Sequence, residues 1–86
     1  MAWKIEFTPD AVKQLEKIDK ENAKRIRKFL RERVAPNPRQ QGRALKGQQR
    51  EFWRFRVGDF RVIAHIEDER VTVLVVKVGH RKEIYR

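Results

Sequence analysis

The chain has 86 residues, no cysteine, 22 Lys and Arg against 12 Asp and Glu, and a formal net charge of +10, which fits one domain spanning 1–86 with a single modest core. Disulfides and thiolate metal sites are excluded, no segment is apolar for long enough to cross a bilayer, and Met1 leads straight into a strand-like run instead of a signal peptide, so a cytoplasmic protein is expected. The excess of cations implies a polyanionic partner, whether nucleic acid, an acidic membrane surface or an acidic protein.

From Ala2 to Phe7, apolar and polar residues alternate, which puts Trp3, Ile5 and Phe7 on one face of a first strand. Thr8 suits an N-cap, Pro9 the first helical position, and Asp10 the positive end of the helix dipole, so a helix starts here with Val12, Leu15 and Ile18 as its apolar stripe. Asp19 and Asn22 break it and cap a second helix, with Ala23, Ile26, Phe29, Leu30 and Val34 as the buried stripe. The two helices are expected to form a hairpin on one face of a sheet. The other side of the second helix carries Lys20, Lys24, Arg25, Arg27, Lys28 and Arg31, which reads either as a solvated face or as a surface that tracks phosphates. Pro36 ends the helix, and the stretch to Gly47 has no periodicity. It reads as a long basic loop with Arg39, Arg43 and Lys46, and its length favours a binding role.

From Phe52 to Ala64, aromatic and aliphatic residues alternate with arginines on both sides of Gly58-Asp59, the pattern of two strands joined by a tight turn. A two-residue loop pairs Val57 with Phe60. Arg56 then faces Arg61, Arg54 faces Ile63 and Phe52 faces His65, while Trp53, Phe55, Val57, Phe60, Val62 and Ala64 share the core face. Like charges directly opposite in a sheet are destabilising, and an anionic ligand would explain why the fold tolerates them. Glu67 to Arg70 reads as an acidic turn, and Val71 to Val78 as a central strand that is apolar on both faces. Val73 and Val75 pack with Val62 under the helices, which leaves Leu74, Val76 and Val78 beside Ile63 on the arginine side. That apolar strip is covered either by the C-terminal tail or long loop, or by a partner chain.

The ordered set of strand, helical hairpin, Arg43-Ala44-Leu45-Lys46-Gly47, Trp53-Arg54-Phe55-Arg56, Phe60-Arg61-Val62-Ile63 and Val78-Gly79-His80-Arg81 resembles the RelE/ParE superfamily of type II toxin–antitoxin toxins over nearly the whole chain. The resemblance implies an α+β fold of order β-α-α-β-β-β, an antiparallel sheet with the helical hairpin packed on one face. It also implies a cognate antitoxin, expected to contribute an acidic, partly disordered segment, and no metal or cofactor. RelE-type members cut mRNA on the ribosome through attack of the ribose 2′-hydroxyl on the adjacent phosphate, whereas ParE-type members poison DNA gyrase. The RelE pattern carries over to Arg54, Arg56, Arg61, Arg81 and Tyr85 as catalytic positions. At Arg54 and Arg56 the pattern has lysine, and arginine can hardly serve as a proton-transfer group.

Cleavage of this kind needs stabilisation of a pentacovalent transition state and movement of two protons. The four arginines can supply the first, through bidentate contacts to phosphate oxygens. Tyr85 is the candidate general base, since neighbouring cations favour its phenolate. His80, Glu51 and Glu83 are fallback acid–base groups, each also readable as an ordinary surface residue. Phe52, on the arginine face, can stack on a base or pack at a strand edge. His65 has no partner at metal-ligand spacing. The expected function is a RelE-type mRNA endonuclease, in which Lys20, Lys24, Arg25, Arg27, Lys28, Arg31, Arg43, Lys46 and Phe52 contact RNA and ribosome. A ParE-like gyrase inhibitor and a non-catalytic nucleic-acid-binding module are the alternatives.

Overall fold

The computed structural model describes residues 2–45 and 52–84. Strand β1 (Lys4–Phe7) leads into helices α1 (Pro9–Glu16) and α2 (Lys20–Phe29), followed by β2 (Gly42–Ala44), β3 (Phe52–Val57), β4 (Phe60–Glu67), β5 (Thr72–His80) and a single turn, α3 (Arg81–Ile84). The strands form one sheet in the order β1-β5-β4-β3-β2. The fold is α+β as expected, with two differences in topology: a short extra strand, β2, lies in the stretch read as a loop, and the sheet is not wholly antiparallel. β1 lies parallel to β5, so the sheet is mixed, and only the pairings among β2, β3, β4 and β5 are antiparallel. A strand as apolar as β5 needs a neighbour on both edges, and β1 supplies the second.

Both caps act as their residue types dictate. The Thr8 hydroxyl accepts from the Ala11 amide at 3.2 Å, and the Asp19 carboxylate from the Asn22 amide at 3.1 Å. The α1 stripe is shifted by one residue from expectation: Ala11 and Leu15 are buried, whereas Val12 is 40% exposed. Ala11, Leu15 and Ile18 keep the i, i+4, i+7 spacing of a single helical face, which Val12 leaves. Helix α2 contributes Ala23 and Ile26 and continues into a π-helical turn, Leu30–Val34, closed by a 2.8 Å bond from the Ala35 amide to the Leu30 carbonyl. The wider turn lets Leu30, Val34 and Ala35 all reach the interior. The core lies between this helical pair and the sheet, where Phe55, Val62, Ala64, Val73, Val75 and Val78 meet the helices.

The hairpin register is the expected one, from Val57 opposite Phe60 to Phe52 opposite His65. The β4–β5 ladder is not regular. Ile63 pairs with Lys77 but Ala64 pairs with Val75, leaving Val76 as an inserted residue. This β-bulge reverses the alternation along β5. Val78, expected on the arginine side, is buried in the core at 3% exposure, and Lys77 takes the arginine side opposite Ile63. The apolar strip is thereby reduced to half-buried Ile63, Leu74 and Val76.

The described part of the stretch read as one loop, up to Leu45, is tied down by two contacts. After a 3₁₀ turn at Pro38–Gln40, β2 pairs with β3. Gly42 is required there, because a Cβ would run into the Arg54 carbonyl oxygen and lie 2.9 Å from the Phe55 ring. Arg39 makes a two-pronged contact with Asp68, Nη1 to Oδ1 at 2.8 Å and Nη2 to Oδ2 at 2.9 Å, tying the turn to the β4–β5 connection. Nearby, Arg70 bonds both Glu6 and Glu67. The cations at this end of the sheet are therefore matched by carboxylates.

Gly42→Ala should detach β2 from β3 and destabilise the fold by about 1–3 kcal/mol, as overpacking does, measured by chemical denaturation. A second expectation concerns pH. The Arg39 hydrogen bonds hold the Asp68 carboxyl below its ordinary value of 3.8. A carboxylate with a depressed pKa adds stability above its unfolded value and loses it as pH falls through the folded value. The stability difference between the parent chain and Asp68→Asn should thus be constant at neutral pH and shrink below a pH of about 3.8. A difference that persists in stronger acid would show that the contact works through something other than charge.

Candidate nucleic-acid interface

The register assembles the site on the sheet face away from the helices. One row across the strands runs Arg43, Arg54, Ile63, Lys77; the next holds Arg56, Arg61 and Gly79; another holds Phe52, His65 and Leu74. Arg43, Arg54 and Arg56 come together with Gln40, Gln41 and Gly42 around a cleft of about 240 Å³. Arg43 and Arg56 are exposed and Arg54 is half-buried. Lys77, also exposed, extends the cationic row. The sequence reading missed it because strict alternation sends Lys77 to the core, and only the bulge at Val76 corrects the phase.

Arg61 and Arg81 meet at the hairpin turn. Arg61 is buried at 6% exposure, and its Nη1 donates to the Gly58 and Phe60 carbonyls at 3.0 and 2.9 Å. It anchors the turn. The Arg81 amide donates to the Asp59 carbonyl at 2.8 Å, while its exposed guanidinium sits with Nε 3.9 Å from the Asp59 carboxylate.

Two of the fallback acid–base groups, His80 and Glu83, lie elsewhere. His80 pairs with Phe60 and meets its ring edge-on at 5.8 Å, its Nδ1 accepting from the Lys82 amide at 3.2 Å. Phe60 packs against the core, so His80 belongs to the helix side. It lines a concavity there with Glu83, Gln14 and Lys17. The Phe52 ring is tilted against His65 at 5.8 Å. Tyr85, Lys46 and Glu51 lie outside the described residues. Among the described residues, no three His, Asp or Glu side chains gather as a metal site would require.

Three basic side chains of α2 and two of the π-helical turn after it divide between two flanks. Arg27 and Arg31 border an apolar groove of about 400 Å³ with Trp3, Ile5, Phe7 and Leu30, beside the outer edge of β1. Arg25 and Lys28 turn towards the β3–β4 hairpin, where Arg33 joins them.

A family model described as the ParE toxin of the type II toxin–antitoxin system parDE matches residues 5–85. This chain belongs to that family, within the RelE/ParE superfamily of toxins. Toxin RelG of Mycobacterium tuberculosis is 28% identical to it over 86 residues, covering 100% of this toxin and 99% of the relative. The toxin–antitoxin complex RelBE2 of the same organism contains a chain with TM-score 0.89 and 25% identity, the match spanning 94% of this toxin and 93% of that chain. The isolated RelE toxin of E. coli matches with TM-score 0.79 and 27% identity over 98% of this toxin and 92% of that chain.

Arg61→Ala should destabilise the toxin by about 1–3 kcal/mol, since it removes two charge-assisted hydrogen bonds to the carbonyls of the turn. Arg56→Ala, at an exposed position facing another cation, should leave stability unchanged or raise it slightly. Thermal unfolding of the two variants side by side separates the anchoring arginine from the displayed one.

Proposed function

We propose that the toxin is a ribosome-dependent, metal-independent mRNA endonuclease that blocks translation. The observation that carries this reading is the cleft formed by Arg43, Arg54 and Arg56, with Arg61 and Arg81 at its hairpin end. Such a cluster suits a phosphodiester: guanidinium forks bind non-bridging oxygens, and their pull grows as the phosphorane gains charge. The ribose 2′-hydroxyl forms a bond to phosphorus, the bond to the 5′-oxygen breaks, and the products are a 2′,3′-cyclic phosphate and a 5′-hydroxyl. Arg54 and Arg56 hold the phosphate and Arg81 meets the developing charge. Arg61 holds the turn to whose Asp59 the Arg81 backbone is bonded. The arginines cannot move protons at neutral pH. That task falls to Tyr85 as general base or to the ribosome, which also aligns the substrate.

Neutralisation by a cognate antitoxin is part of the same reading, supported by the relative solved as a toxin–antitoxin complex. An acidic, partly disordered antitoxin segment that folds on the cationic and apolar surfaces would mask the cleft. The description of the matching family names the ParE toxin, which favours a second reading: gyrase poisoning, with the arginines serving protein contacts.

Expressed without antitoxin, the toxin should arrest growth with mRNA cut inside ribosome-covered codons. Gyrase-dependent DNA breaks with intact mRNA would establish the second reading. In single-turnover cleavage on ribosomes at saturating toxin, Arg54→Ala and Arg81→Ala should each lose a hundredfold or more in rate, about 2.7 kcal/mol, with ribosome affinity nearly intact. Arg81→Lys should recover only part of the loss, because a point charge lacks the planar fork. Cleavage at the parent rate by both alanine variants would reduce the arginine face to a binding surface.

A further inference from the structure

The cleft is not the end of the cationic surface. Arg56 also walls a second concavity, of about 360 Å³, together with Arg25, Lys28, Phe29, Arg33 and Gly58. Four cations face one carboxylate there, Glu32, whose Oε2 already lies 3.8 Å from Arg31. Among the described residues, Arg25, Lys28 and Arg33 make no ion pair. The residue shared by the two concavities is Arg56, two positions from the hairpin tip, which carries no side chain at Gly58. A Cβ on Gly58 would sit 2.9 Å from the Arg25 Nη1. The missing side chain therefore lets a guanidinium from α2 lie against the turn whose carbonyl is held by Arg61.

We propose that Arg25, Lys28 and Arg33 form a second phosphate-binding wall, which carries the substrate RNA strand from the arginine cleft across Gly58 and along α2. This rests on the nuclease reading for the identity of the strand. Several features select RNA backbone as the occupant. The cations continue without a break through Arg56, the carboxylate at the tip, Asp59, is engaged by Arg81, and apolar surface is limited to Phe29 and Val57. An apolar peptide finds a better fit on the opposite flank of α2, beside Trp3 and Ile5. On this arrangement the helix face is not one uniform basic surface: Arg25 and Lys28 grip the strand and Arg27 and Arg31 do not.

The test uses RNA methylated at every 2′-hydroxyl, which binds without being cut, in a short form that fills the cleft alone and a longer form that reaches α2. Affinity is measured against salt for the unsubstituted toxin and for the double variants R25Q/K28Q and K4Q/K13Q. Each phosphate contact on a single strand adds about 0.7 to the slope of log affinity against log salt. The longer RNA should show the steeper slope. R25Q/K28Q should lower it by about 1.4 while leaving the short RNA unaffected, and K4Q/K13Q, with the same loss of charge, should change neither. Equal loss on short and long RNA, or none on either, would overturn the proposal. So would a loss confined to vacant ribosomes, which would give the wall to ribosomal RNA, or one confined to an acidic peptide. Because nothing is cleaved, the result is independent of catalysis: tight length-dependent binding by a toxin that never cuts mRNA would defeat the nuclease reading and leave the track standing.

Discussion

The turn at Gly58-Asp59 is the constraint on which the functional face depends. Gly58 has a φ of +60°, a conformation that L side chains rarely adopt, and its carbonyl is held by Arg61. The neighbouring Asp59 carbonyl takes the Arg81 amide, so the end of β5 is fastened to the same two residues. Arg25 of α2 lies against the glycine from the other side. Three stretches far apart in sequence are thus joined at one tight loop, and each brings an arginine to it. Widening this loop would move every one of those cations relative to the others.

The charge distribution follows from the same geometry. β4 has the arginine turn at one end and the Glu67–Arg70 turn at the other. At the second, Arg39 and Arg70 are matched by Asp68, Glu6 and Glu67. At the first, Arg43 faces Arg54 and Arg56 faces Arg61 across the ladder, each pair opposed by a few tenths to about 1 kcal/mol. The sheet tolerates this because its other face is a well-filled core. An anion set between such a pair would relieve the opposition, so the repulsion costs stability only while the face is empty.

Much of this was readable from the sequence where local rules decide. The helix caps at Thr8 and Asp19, the hairpin register and the separation of Phe55 from Arg54 and Arg56 all follow from residue type and period. What escaped depended on distant contacts. The parallel place of β1 is set by β5, some 70 residues later. The bulge at Val76, which exchanges Val78 for Lys77, has no signature in a run of valines. The β2 pairing hinges on Gly42 lying against the Arg54 backbone, and Arg61 is told apart from its neighbours only by the carbonyls it happens to reach. Four arginines were visible; that Arg61 is buried at the turn while Arg56 and Arg81 are displayed was not.

The pairing of the first strand with the last bears on how the chain comes to be folded at all. β5 lies between β1 and β4 and supplies Val73, Val75 and Val78 to the core. Until that segment has been synthesised, β1 has no partner, the helices have only part of a surface to cover, and the hairpin lacks the strand that fastens its turn. Contacts of such large sequence separation form late and together. A chain that still lacks β5 therefore holds its arginines in no fixed arrangement, and they take their places relative to one another only once that strand has docked between β1 and β4.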